Sequence, residues 1–144
     1  MIVVTARLEV ATDDGASLSD VTGEVNAYLR ATGISSGLCV LSAPSEGSCL
    51  TLSAALDEDV DDLLRLARSF LAETTRDDDD PLLLERRDRM EADAAGYTPA
   101  GVLADCLSLP VRDGVVGLGT WEAIVLLDAR GPAHRAIDVT VMGS

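Results

Sequence analysis

Lysine and glutamine are missing from this chain altogether. Its eleven basic residues are all arginine, against 25 aspartates and glutamates, and the net charge is −14. Without lysine there is no Schiff-base nucleophile, no phosphate-gripping lysine of the Walker type and no lysine general base. The shortage of positive charge argues against nucleic acid or an anionic membrane surface as partner. Aromatic residues are only 3% of the chain, Trp121 is the single tryptophan and His134 the single histidine. No apolar run approaches the roughly 20 residues of a membrane helix. The opening MIVVTARLEV carries no basic region before its apolar residues and reads as a strand rather than a signal peptide, so a cytoplasmic protein is expected. The three cysteines are odd in number and match no zinc spacing. Cys39 and Cys106 sit in apolar runs and read as small core residues, while Cys49 beside a polar loop is the candidate for a reactive thiol.

What remains is 47% hydrophobic and 144 residues long, enough for one domain, 1–144, with a real core. Residues 2–10 alternate as a first strand, with Ile2, Val4, Ala6 and Leu8 on one side and Thr5, Arg7 and Glu9 on the other. A turn at 12–15 leads to a helix capped by Ser19 or Asp20, with Val21, Val25, Tyr28 and Leu29 on one face and Gly33 as its stop. Residues 38–41 and 49–52 read as short buried strands, separated by a loop rich in hydroxyls that carries Glu46. Further helices are expected at 57–73 and 81–90, with a short one at 99–107.

The stretch from Leu107 to Asp128 organises the rest. Two strands flank a turn at Arg112, Asp113 and Gly114, and an apolar run, Ile124 to Leu127, follows Trp121. Trp121 beside two glycines reads as a core anchor or the wall of a site. A last strand, 136–142, turns Ile137, Val139 and Val141 inward. Strands mixed irregularly with two to three helices give an α+β class with a mixed or antiparallel sheet.

These pieces follow a known order. Residues 18–25, Gly37 with Leu38, residues 50–52 and 57–60, Pro110 with Val111, the distinctive run Leu118, Gly119, Thr120 and Trp121, and Arg135 with residues 139–143 together resemble the YjbQ-like family, secondary thiamine-phosphate synthases. The resemblance implies a β-sandwich-like fold and a homotrimer with sites near subunit interfaces. It also implies site positions that this sequence fills differently. Ser45 stands where the family has a histidine, and Ser53 to Ala55 where it has Asn-Glu-Asn. Arg89, Met90 and Glu91 stand where it has His-x-Glu, and Tyr97 where it has a further histidine. The acid after the Trp strand is kept as Asp128.

Converging histidines and carboxylates can hold a divalent metal or move protons, and one histidine cannot form that cluster. No metal and no cofactor are therefore expected. The inherited pocket would be lined by Ser45, Glu46, Ser48, Arg89, Trp121 and Arg135, with Tyr97 or Glu91 as acid or base. That set suits a small molecule and a repurposed, cofactor-independent reaction. The alternatives are a catalytically inactive structural or regulatory trimer and retained thiamine-phosphate synthase activity. The latter would need Arg86, Arg87, Arg89 and Arg135 as its phosphate cluster.

Overall fold

The computed structural model describes residues 1–44, 48–53 and 106–144. Within them the chain forms β1 (Ile2–Ala11), β2 (Gly15–Asp20), α1 (Thr22–Thr32), β3 (Ser36–Ser42), β4 (Ser48–Ser53), β5 (Cys106–Arg112), β6 (Val115–Val116), β7 (Ala123–Gly131) and β8 (His134–Gly143). The strands make two antiparallel sheets, one of five in the order β1-β8-β3-β5-β6 and one of three in the order β2-β7-β4. The described fold is thus a two-sheet, sandwich-like arrangement with one helix.

The core follows from period-2 alternation. Cys39, Leu41, Leu109, Val111, Ile137, Val139 and Val141 point inward from the five-stranded sheet. They pack with Leu50, Ile124 and Leu126 of the three-stranded sheet in one buried cluster. β7 is buried on both faces. Its other side, at Leu127, packs with Cys49 against Ala16 and Leu18, which is why Ile124 to Leu127 lacks alternation.

Helix α1 sits where the apolar spacing places it, with Val21, Val25 and Leu29 fully buried. Its start is tied to β7: Val21 N–H donates to Ile124 O at 2.9 Å, and Ile124 N–H donates to Thr22 Oγ1 at 2.8 Å. The Asp20 carboxylate accepts from Thr22 N–H at 3.0 Å. Gly33, at φ 72°, closes the other end in the left-handed conformation. Asn26 Oδ1 accepts from Val116 N–H at 3.0 Å, fixing the short β6 to the helix.

Four expectations need correction. One helix is present among the described residues rather than two to three, and the helices expected at 57–73 and 81–90 lie outside them. Of the stretch expected as a helix at 99–107, its end is strand, because Cys106 to Arg112 continues the alternation that pairs with β3. Residues 15–20, expected to turn straight into the helix, form β2, whose partner β7 is more than a hundred positions away and invisible to local pattern. Cys106 is exposed, on the outer face of β5, whereas Cys39 and Cys49 are both fully buried. The accessible thiol is therefore Cys106 and not Cys49. Burial pushes the Cys39 thiol up to about 11.

Candidate functional site

The alternation of β7 that sends Ile124 and Leu126 into the core sends Asp128 the same way, and its carboxylate is fully buried. An ionised group there requires partners. Arg135, near the start of β8, supplies two parallel charged hydrogen bonds, from Nε to Asp128 Oδ2 at 2.9 Å and from its terminal nitrogen to Oδ1 at 3.0 Å. The planar guanidinium matches a carboxylate in this bidentate way, which an ammonium cannot do.

Thr12, just past β1, adds a third contact: its hydroxyl donates to Asp128 Oδ2 at 2.5 Å. The Thr12 hydroxyl oxygen itself accepts from Ala133 N–H at 3.1 Å, and Thr12 N–H donates to Ala133 O at 2.8 Å. The Thr12 hydroxyl also lies 3.2 Å from Ala133 O, but it has one hydrogen, and the charged, closer acceptor takes it. This ties the turn between β7 and β8, which contains a cis Gly131–Pro132 bond, to the end of β1.

Strand register places two more hydroxyls beside Asp128. Ser17 on β2 and Ser48 on β4 are its direct partners on either side. Ser48 is buried, and Ser17 Oγ is buried with no hydrogen-bond partner. A buried hydroxyl left unsatisfied is costly and calls for an explanation such as a water or ligand.

Of the residues expected at the site, the structure brings together Arg135 and Ser48, both against Asp128. Trp121 is elsewhere. It lies 84% exposed in the loop before β7, with roughly 16 Å of strand between Ala123 and Asp128. It is therefore not a core anchor. A clasp holds that loop: Gly119 N–H donates to Glu122 Oε2 at 2.8 Å, and Glu122 N–H donates to Gly119 O at 3.1 Å. Ser45, Glu46, Arg89, Glu91 and Tyr97 lie outside the described residues. Thr12 and Ser17 were not legible as site residues, since each is a common hydroxyl in a turn or before a helix. Asp128 carried a signal, a carboxylate continuing an inward-facing apolar series.

Among the described residues no group of three or more His, Cys, Asp and Glu side chains could hold a metal. The donor set around Asp128 does not suit a divalent ion: both carboxylate oxygens are committed to a guanidinium, whose charge repels a second cation. His134 is exposed at the first position of β8.

The fold of two antiparallel sheets is shared by several solved proteins. A YbjQ-like protein of unknown function from Sulfolobus solfataricus P2 matches with a TM-score of 0.75 at 23% identity, over 99% of each chain. A hypothetical protein from Aeropyrum pernix K1 matches with a TM-score of 0.68 at 24% identity, over 98% of this chain and 99% of its own. In sequence, UPF0047 protein YugU of Bacillus subtilis is 28% identical over 137 residues, 94% of this chain and 97% of that one. A UPF0047 protein of Methanothermobacter thermautotrophicus is 29% identical over 143 residues, 99% and 94% of the two chains. The family model for UPF0047 protein YjbQ-like matches residues 6–144. The chain belongs to the YjbQ/UPF0047 family.

Proposed function

We propose that this protein binds a small organic molecule, without a metal, at the end of the sandwich where Asp128 and Arg135 meet. The observation that carries the reading is the buried, bidentate pair flanked by Thr12, Ser48 and the unsatisfied Ser17 hydroxyl. A fixed ion pair among hydroxyls orients polar groups of a ligand at little reorganisation cost. In this reading Ser45, Glu46 and Arg89 extend the lining, and Tyr97 or Glu91 acts as acid or base in a cofactor-independent reaction. The replaced histidines make the chain a divergent member of its family. We also propose that it assembles as a homotrimer and works in the cytoplasm. No described helix is long and apolar enough to cross a membrane.

The test is a thermal-shift screen of the purified protein against phosphorylated and carboxylated metabolites, with thiamine-phosphate synthesis assayed on the same sample. A ligand present at a hundred times its Kd adds about 2.7 kcal/mol. For a domain of this size that raises Tm by roughly 5–10 °C. The expected result is such a shift with at least one compound class, reduced by Ser17→Ala and by Ser48→Ala. If no compound stabilises the protein, the inactive structural reading replaces this one. Measurable thiamine-phosphate synthesis would instead show the family's activity retained without its histidines.

A further inference from the structure

Trp121 stands apart from the other exposed apolar residues. Met1, Ile2, Val3 and Leu38 belong to the N-terminus, β1 and β3, while the indole, 84% exposed, stands alone on the loop between β6 and β7. That loop is built to hold one shape. Gly117 N–H donates to Pro110 O at 2.7 Å, and Leu118 packs against the core. Gly119 and Glu122 exchange two hydrogen bonds around Thr120 and Trp121. A Cβ at Gly119 would lie 3.1 Å from both Cδ and Oε2 of Glu122, so glycine there lets the carboxylate close on the turn. An aromatic ring presented on a fixed loop loses little freedom when it is covered, which is what a binding anchor requires.

The surroundings of the ring decide what can cover it. Its neighbours Thr120 and Glu122 are exposed and polar. Asp20 ends β2 and Glu24 lies in the first turn of α1, and both are exposed. These two elements meet the start of β7, where Asp20 stands opposite Val125 and Thr22 Oγ1 accepts from Ile124 N–H. Three carboxylates therefore share this end of the sandwich with Trp121. The arginines of the nearby elements lie toward the other end of α1: Arg30 in its last turn, and Arg112 opposite Ser36, just beyond it. An apolar partner would find one ring to rest on and three charges to desolvate. A guanidinium suits both features, because it stacks flat on an indole and its fork of N–H groups matches carboxylates. We propose that the Trp121 loop docks an arginine-bearing segment of a partner protein, with the guanidinium on the indole and Glu122, Asp20 and Glu24 around it.

This surface lies at the start of β7 and the Asp128–Arg135 pair toward its end, so the inference goes beyond the ligand reading and either can fail alone. Stacking one cation on an exposed ring strengthens binding about two- to fivefold, and more where the partner shields the pair from water. The attraction between opposite charges is screened, so added salt weakens docking.

Trp121 is the only tryptophan, so its fluorescence reports this loop alone. In the full chain by itself the indole is expected to emit as it does in water and to be open to acrylamide across the micromolar range. Blue-shifted, quencher-protected emission at every concentration would show the ring already covered, by another copy of the chain, and overturns the proposal. The probe is a short oligo-arginine peptide without aromatic residues, its binding read by indole emission and, once labelled, by anisotropy. Saturable binding is expected, weakening as sodium chloride is raised, with an oligo-lysine peptide of the same length binding less tightly. Trp121→Ala is expected to weaken the labelled peptide about fivefold, with circular dichroism and Tm unchanged, and Trp121→Phe to restore part of the loss. Glu122→Gln keeps an oxygen for Gly119 N–H but removes the charge, and is expected to weaken binding about threefold. Full-strength binding to Trp121→Ala would be mere adhesion of a polycation to an acidic protein and overturns the proposal. Equal affinity for the lysine peptide, or binding indifferent to salt, overturns it as well.

Discussion

Replacing Arg135 by methionine removes the cation from a fully buried carboxylate while keeping an unbranched apolar stem in its place. Asp128 loses two charged hydrogen bonds, at 2.9 and 3.0 Å, and keeps that of Thr12. Breaking a buried pair from one side costs about 3–5 kcal/mol, because the remaining charge stays desolvated. The Arg135 side chain is 15% exposed, so water can reach part of the site and the lower end applies, about 3 kcal/mol. For a domain of this length that lowers Tm by roughly 6–12 °C. Urea unfolding followed by circular dichroism reads it as a lower midpoint at unchanged slope. Asp128→Asn in the same background removes the stranded charge, so the double variant is expected to recover about 1–2 kcal/mol relative to the sum of the two single changes. A loss under about 1 kcal/mol for Arg135→Met, or strict additivity in the cycle, would refute the view of Asp128 as a buried ion held by Arg135.

Thr12→Val, which removes a hydroxyl serving both Asp128 and Ala133, should cost about 1–3 kcal/mol in the same urea assay, with Thr12→Ser recovering most of it. Gly37→Ala should be severely destabilising, about 3 kcal/mol or more, because its Cβ would lie 2.0 Å from Met142 O, and loss of soluble expression would report it. In the native protein a thiol reagent near neutral pH should modify Cys106 quickly and leave Cys39 and Cys49 protected until unfolding. Burial holds the Cys39 pKa above its ordinary value, so its contribution to stability is intact below the ordinary thiol pKa and is lost as pH rises through that value towards about 11. On the surface, hydrogen bonding to the Arg7 guanidinium holds the Asp138 carboxyl below the usual carboxylate range. Its contribution is present above the ordinary carboxylate pKa and is lost as pH falls through the lowered one. An NMR titration should show that low midpoint and its return towards normal in Arg7→Met.

The strands that carry clean alternation were legible from sequence because one face of each must be buried. Val4 to Glu9 and Ile137 to Val141 fall on the faces their pattern assigns. The turn at Asp113 and Gly114 was legible for a local reason, since both residues adopt positive φ, 52° and 74°. β2 was not. GASLSD has weak strand character and is held in place by pairing with β7 and by closure over Leu127. Trp121 misled because a lone tryptophan is usually buried, whereas here it lies exposed in the loop that the Gly119–Glu122 clasp closes. At the site, Arg135 was found through resemblance and Ser48 through its loop. Their meeting at Asp128 depends on register between strands far apart in sequence, which no single stretch encodes.

The pairing of β1 with β8 runs from Ile2 opposite Gly143 to Ala11 opposite His134, so nearly the whole chain separates each pair. β8 is also the strand that joins β1 to β3. During synthesis the first strand therefore waits, its apolar side uncovered, until the eighth has left the ribosome. Contacts of such long sequence separation close loops at high entropic cost and form slowly. The five-stranded sheet is expected to assemble late and in one step, with the helical turns of α1, whose backbone bonds are local, forming earlier. In the interval β1 is an edge in search of a partner, which makes aggregation of nascent chains, rather than unfolding of finished ones, the main hazard this topology carries.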